Sequence, residues 1–179
     1  MDLRARQRLI ARSIVVTIPG SLAVIGVSYA LLPPLLGLDE PAARLALALR
    51  WLVVAMIPYV LVCLTIASRR FREGSHDPTA GGESRRLEIH CRVMQNTLEQ
   101  LVWLAVCVLA LASLLGPNEM QLVPIACTFF AFARLLYWHG YLRSDTLGRA
   151  PGVQLTFTLN IGLLVLVVAL FARSLFASP

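Results

Sequence analysis

Residues 150–172 read APGVQLTFTLNIGLLVLVVALFA, 23 positions without one charged side chain. About 20 mostly apolar residues carry a helix across the roughly 30 Å hydrocarbon core of a bilayer, so this stretch is long enough to span a membrane. Working back toward the N-terminus, the same pattern recurs. Residues 100–118 give 19 uncharged positions, 51–68 give 18 and 13–38 give 26. Between positions 120 and 142 the run is broken once, by Arg134. All five can span with some tilt, and they predict an all-α integral membrane protein. The composition agrees: 58% hydrophobic, 15% charged and a mean hydropathy of +0.72. A soluble domain carries more charge, and a disordered chain shows the opposite balance.

The charge surplus follows the same geometry. All sixteen basic residues are arginines, against ten acidic ones. Arg4, Arg6, Arg8 and Arg12 precede the first span. Arg69, Arg70, Arg72, Arg85, Arg86 and Arg92 lie between the second and third, and Arg143 and Arg149 between the fourth and fifth. Twelve of the sixteen therefore fall on one side of the membrane. The positive-inside rule makes that side the cytoplasm, with the N-terminus cytoplasmic and the C-terminus periplasmic in a bacterial inner membrane. Topology thus accounts for the net charge of +6, and no nucleic-acid partner is expected.

The first span has a rival reading. MDLRARQRLIAR followed by an apolar run resembles the start of a secretory signal. The run is longer than such signals use, and Ser28-Tyr29-Ala30 is a poor cleavage site, which favours a retained helix. Pro19-Gly20 and Pro33-Pro34 should kink or end it. Residues 76–84, HDPTAGGES, form a turn too short for a soluble domain. Cys63, Cys91, Cys107 and Cys127 lack CxxC or Cys/His metal spacing, so no metal is expected and each reads as a small apolar residue. His90-Cys91 would bind a metal only with further partners.

Ionisable groups inside a membrane are costly and point to function. Arg92, Asn96 and Glu99 stand at i, i+4 and i+7, on one side of the helix leading into the third span. An arginine fork, an amide and a carboxylate could hold a zwitterionic ligand; equally, Arg92 and Glu99 could be a buried pair that fixes helix packing. Near the end of the fourth span, Arg134, Trp138 and Tyr141 share a face with Tyr137 beside them. This reads as a pocket whose phenols donate to an anion, or as interfacial aromatics with Arg134 snorkelling or pairing with Glu99. His139 projects away from Arg134. In the fifth span, Thr156 and Asn160 suit hydrogen bonding between helices, and Gln154 lies close enough to the membrane edge to reach a ligand.

Arg92-x3-Asn96-x2-Glu99, then ARLLYWHGYL around Arg134, then RAPG at 149–152, together resemble the MAPEG family, the membrane-associated proteins of eicosanoid and glutathione metabolism. The resemblance covers residues 44–179. It implies a four-helix transmembrane bundle, preceded over residues 1–43 by a basic segment and one additional N-terminal helix. It also implies a homotrimer, surrounded by membrane lipids, that binds glutathione between subunits near the cytoplasmic side and acts on a lipophilic small-molecule substrate that partitions into the membrane. By position, Asn96 and Glu99 would hold the glutathione backbone, supported by Arg92. Arg134 and Tyr141 would lie on the facing helix, Tyr137 would stand where some members have histidine, and Gln154 would replace a serine donor. Arg69, Arg70 or Arg72 would supply the cation that ends the family's first helix. Val153 and Phe157 depart from the arginine and tyrosine of the eicosanoid branch, which removes a cation and a phenol from the expected thiolate site. Two functions follow: a glutathione-dependent transferase or peroxidase acting on lipophilic electrophiles, or a non-catalytic trimeric membrane protein that binds a lipid or other amphiphile.

Overall fold

The computed structural model describes residues 3–74 and 82–176, with side chains throughout that range except at 3–7, 9–10 and 145–146. Most of the turn expected at 76–84 therefore lies outside the described residues. Four helical elements follow in order: α1 (Leu3–Leu31), α2 (Pro41–Glu73), α3 (Arg85–Leu114) and α4 (Leu122–Phe176), with a single 3₁₀ turn, Pro117–Glu119, before the last. The described residues form an all-helical bundle with five stretches long and apolar enough to cross a membrane, as expected of an integral membrane protein.

Local chemistry sets the helix ends. α1 carries Pro19 inside it and stops just before Pro33-Pro34, since proline disfavours helical geometry in the residue ahead of it. Gly37 then takes φ +75°, a left-handed turn that L side chains resist. Arg44 ties this turn down by donating to the Leu38 and Asp39 carbonyls at 3.2 and 3.0 Å. Pro41 opens α2 at a position where its missing N–H is not needed. At the other end Gly74, at φ +68°, donates its N–H back to the Arg70 carbonyl. Ser84 caps α3 by accepting from the Leu87 N–H at 3.2 Å, and Glu88 lies in the first turn, where the helix dipole favours an anion.

The helices outrun the uncharged stretches. α2 extends through charged residues at both ends, and α3 begins at Arg85 rather than near position 100. The largest departure from the sequence reading is at residues 143–149, where a loop between spans was expected and helical hydrogen bonding continues. A straight helix of 55 residues would measure about 82 Å, more than twice the membrane core. Instead α4 doubles back. The backbones of Gly140 and Gly148 touch, Gly152 lies against the backbone of Tyr137, and the Arg149 guanidinium sits 4.9 Å over the Tyr141 ring. These pairs step apart about a midpoint at positions 144–145. α4 is thus an antiparallel hairpin whose limbs are the fourth and fifth spans, Pro117–Ser144 and Leu147–Phe176.

α2, α3 and α4 pack against one another, and α1 docks on α4 from outside. Only 6% of the most apolar stretch of α1 is buried, against 56% for the fourth span, so the extra helix is peripheral. The core has two apolar clusters. One, at the arginine-rich end, gathers Val62, Ile66, Leu87, Val93, Tyr137 and Tyr141. The other fills the opposite half with residues such as Ala55, Leu104, Val108, Met120, Phe130 and Leu163, and it takes in Cys107 and Cys127. Between them lies a buried polar layer made of Thr97, Gln100, Arg134, Thr156 and Asn160.

Candidate functional site

Arg134 is the centre of that layer. It is 1% exposed, so it neither snorkels nor reaches Glu99. Its Nε donates to Thr97 Oγ1 at 3.2 Å, and Nη2 donates to Thr97 Oγ1 at 2.9 Å and to Asn96 Oδ1 at 3.0 Å. The Tyr137 ring lies 4.0 Å from the guanidinium carbon. A buried cation is costly unless it is paired. Here its partners are a carbonyl oxygen, a hydroxyl and an aromatic face, with no carboxylate ion pair to Arg134 among the described residues. Tyr137 is held by Gly152, which lets the fifth span approach its backbone. The close helix crossing therefore positions the aromatic ring over the arginine.

The bond to Arg134 also fixes the Asn96 amide. With Oδ1 taken as acceptor by Arg134, Nδ2 keeps its two N–H donors for another partner. On the outer side of α3 the residues are exposed. Arg92 pairs with Glu88 at 2.6 Å, with side-chain exposures of 64% and 53%. Glu99 accepts from Gln95 Nε2 at 3.3 Å and is likewise exposed. The two alternatives for Arg92 and Glu99 are thus narrowed. They do not form a buried pair with each other, because the face they share is turned outward and only Asn96 reaches in.

Tyr141 completes a ladder. Its ring meets that of Tyr137 edge-on at 5.9 Å, Arg149 covers it, and Arg92 lies beside it. Two tyrosines therefore stand between two arginines, in the order Arg149, Tyr141, Tyr137 and Arg134, from the hairpin turn to the polar layer. Trp138 leaves this group. Its indole N–H donates to His90 Nδ1 at 2.9 Å, which pins the start of α3 to the fourth span. His139 is exposed, away from Arg134 as its spacing requires. Of the three arginines ending α2, Arg70 reaches toward α3, donating to Glu83 at 2.9 Å and lying 3.9 Å from Cys91 Sγ, whereas Arg69 pairs with Glu73 of its own helix at 3.3 Å.

In the fifth span, Gln154 is engaged within the chain, its amide donating to Ser13 Oγ of α1 at 2.7 Å. Asn160 bridges helices as expected, donating to Gln100 O and Oε1 at 3.1 and 3.0 Å. Thr156 does not. It donates back to the Gly152 carbonyl of its own helix at 2.8 Å, a local bond open to any helical threonine with a free carbonyl one turn back. Val153 packs against the apolar cluster at the arginine-rich end. Phe157 is exposed and meets Trp103 edge-on at 6.1 Å, so the surface there is aromatic and apolar. Thr97 and Arg149 are the residues the sequence reading missed. Among the described residues no three His, Cys, Asp or Glu side chains converge as a metal site would need.

A comparison with curated proteins finds no match. A family model does match, over residues 48–169. That stretch takes in most of α2, all of α3, the hairpin turn and the whole polar layer, and it leaves α1 outside. With well over half of the chain matched, and the arginine, asparagine and tyrosine positions all inside the match, the protein belongs to the MAPEG family.

Proposed function

We propose that this chain binds glutathione on the outward face of α3 and acts as a glutathione-dependent transferase or peroxidase on lipophilic electrophiles, assembled as a homotrimer. The observation that carries this reading is the fixed Asn96 amide. Arg134 takes its oxygen, which leaves two N–H donors for a ligand, on a helix whose exposed side also offers the Arg92 guanidinium and the Glu99 carboxylate. Glutathione has two carboxylates and one ammonium. Asn96 and Arg92 suit the former and Glu99 the latter. Arg92 and Glu99 stand exposed on a single chain, which fits a site completed by a neighbouring subunit. Tyr141, which lies beside Arg92, is the phenol nearest this face that could donate to a thiolate, since Phe157 has no hydroxyl. Arginine placement supports a cytoplasmic N-terminus and a periplasmic C-terminus in a bacterial inner membrane.

A second reading, a non-catalytic trimeric membrane protein binding a lipid or other amphiphile, is favoured by Val153 and the Phe157–Trp103 contact. They leave an apolar surface where thiolate activation would need a cation or donor. Calorimetric titration of glutathione into the detergent-purified protein, with thiolate absorbance followed on the same sample, separates the two. Binding with a thiolate signal supports the enzyme. Loss of binding in Glu99→Gln, with the oligomer intact, assigns the site to α3. No binding at millimolar glutathione rejects the first reading in favour of the second.

A further inference from the structure

The additional helix does more than cover the bundle. Where α1 stands off from α2 and α4 it leaves a cavity of about 900 Å³, within the size range of small-molecule sites. Val24 and Trp51 line it together with Ile125 and Phe129 of the fourth span. Along α1 the cavity runs from Thr17 to Leu32, which at 1.5 Å per residue is about 22 Å. Val24, Leu32 and Phe132 on its rim are exposed. In a membrane-spanning segment that exposure faces lipid, so the cavity opens sideways into the bilayer.

The hydroxyls of Thr17, Ser21, Ser28 and Thr128 also line the cavity, but one amide in its wall is left with a buried atom that has no hydrogen-bond partner among the described residues. Gln121 lines the cavity where the fourth span begins and is 6% exposed, and the atom is its Oε1. An amide buried without a partner is a standing cost. A hydroxyl both donates and accepts, so it satisfies this amide whichever way its oxygen and nitrogen are turned. Gln121 also sits at the end of its span, the level at which an amphiphile places its polar group while its chain points inward.

We propose that this cavity is a binding site for a long-chain lipid alcohol, with the hydroxyl on Gln121 and the chain lying between α1 and the fourth span. The site is independent of glutathione binding, since none of its lining residues belongs to the face of α3 or to the arginine–tyrosine ladder.

The test uses the full-length protein in phosphatidylcholine nanodiscs and a diazirine-bearing hexadecanol, with photolabelled residues mapped by mass spectrometry. Labels are expected to concentrate on Val24, Ile125 and Phe129. Unlabelled hexadecanol should displace them about tenfold better than hexadecane, the worth of one buried hydrogen bond. Gln121→Leu should abolish that preference. Gly20→Phe grows into open space, since nothing lies within 4 Å of a Cβ built there. It should remove cavity labelling without changing assembly. Labelling spread evenly to lipid-facing positions such as Val165 would overturn the proposal. So would equal competition by alcohol and alkane on the unmodified protein, or cavity residues crosslinking to a second copy of the chain instead of the probe.

Discussion

Replacing Gly152 by alanine tests whether the hairpin crossing sets the geometry of the site. A Cβ at Gly152 would lie 2.5 Å from both N and Cα of Tyr137. Those atoms are backbone, so no side chain can swing aside. The limbs must part by about half an ångström merely to reach the 3.0 Å below which such contacts essentially never occur. Overpacking of this kind costs about 1–3 kcal/mol, against which the better helix propensity of alanine returns at most about 1 kcal/mol. The matched control is Gly162→Ala in the same helix, where nothing lies within 4 Å of the new methyl; only the propensity gain applies there. Both variants would be melted in detergent by circular dichroism. Gly152→Ala should melt below the parent and Gly162→Ala at or slightly above it. Because Tyr137 moves with the parted limbs, the first variant should also weaken glutathione binding while the second leaves it unchanged. If Gly152→Ala melted with Gly162→Ala, the close crossing would not be what holds Tyr137 over Arg134.

Arg134→Met removes the cation and strands the Asn96 oxygen, so unfolding should become easier by about 1–3 kcal/mol; stability at or above the parent, measured by the same melts, would show that the guanidinium only occupies space. Arg134→Lys keeps the charge without the fork and should recover part of the loss. Gln154→Leu breaks the bond to Ser13 and should loosen α1, read as faster amide exchange in α1 and unchanged exchange in α3. A reporter fused after Asp39 should be exported to the periplasm, and the purified chain should still begin at Met1 or Asp2; a mature start near Leu31 would make the first span a cleaved signal.

The five spans were legible because a hydrocarbon slab forbids charge, and uncharged length is visible in any single chain. Their ends were less so. Charged residues continue α2 and α3 beyond the apolar slab, where water satisfies side chains and the helix persists. Charge therefore marks where the slab stops, not where the helix does. Arg134 was visible as an anomaly, but its partners were not. Glu99 is the obvious counter-ion on charge grounds, yet it lies on the outward side of α3, and the inward position next to Asn96 belongs to Thr97, a residue with no charge to advertise it. The hairpin left a readable trace in Gly148-x3-Gly152, the small-residue spacing that lets membrane helices approach closely. Arg149 is a positive-inside residue by count and a partner of Tyr141 by geometry, and only the folded turn reveals the second role. The cavity behind α1 had no linear signature, since its walls come from three helices.

Order along the chain has its own consequence for the polar layer. The hydrogen-bonding partners of Arg134 on α3, Asn96 and Thr97, precede it by 38 and 37 positions, so during synthesis they are made first. A lone arginine entering hydrocarbon is among the costliest residues a nascent span can carry. Here it arrives with its hydrogen-bond acceptors already made, whereas the glycines that close the hairpin follow. Biogenesis can therefore proceed by addition: α3 receives the arginine of the fourth span, and the fifth span then folds back to seal it. A chain stopped after the fourth span would hold Arg134 but leave the Tyr137 backbone bare to lipid, which makes the last helix the latch of an assembly whose most expensive step is already complete.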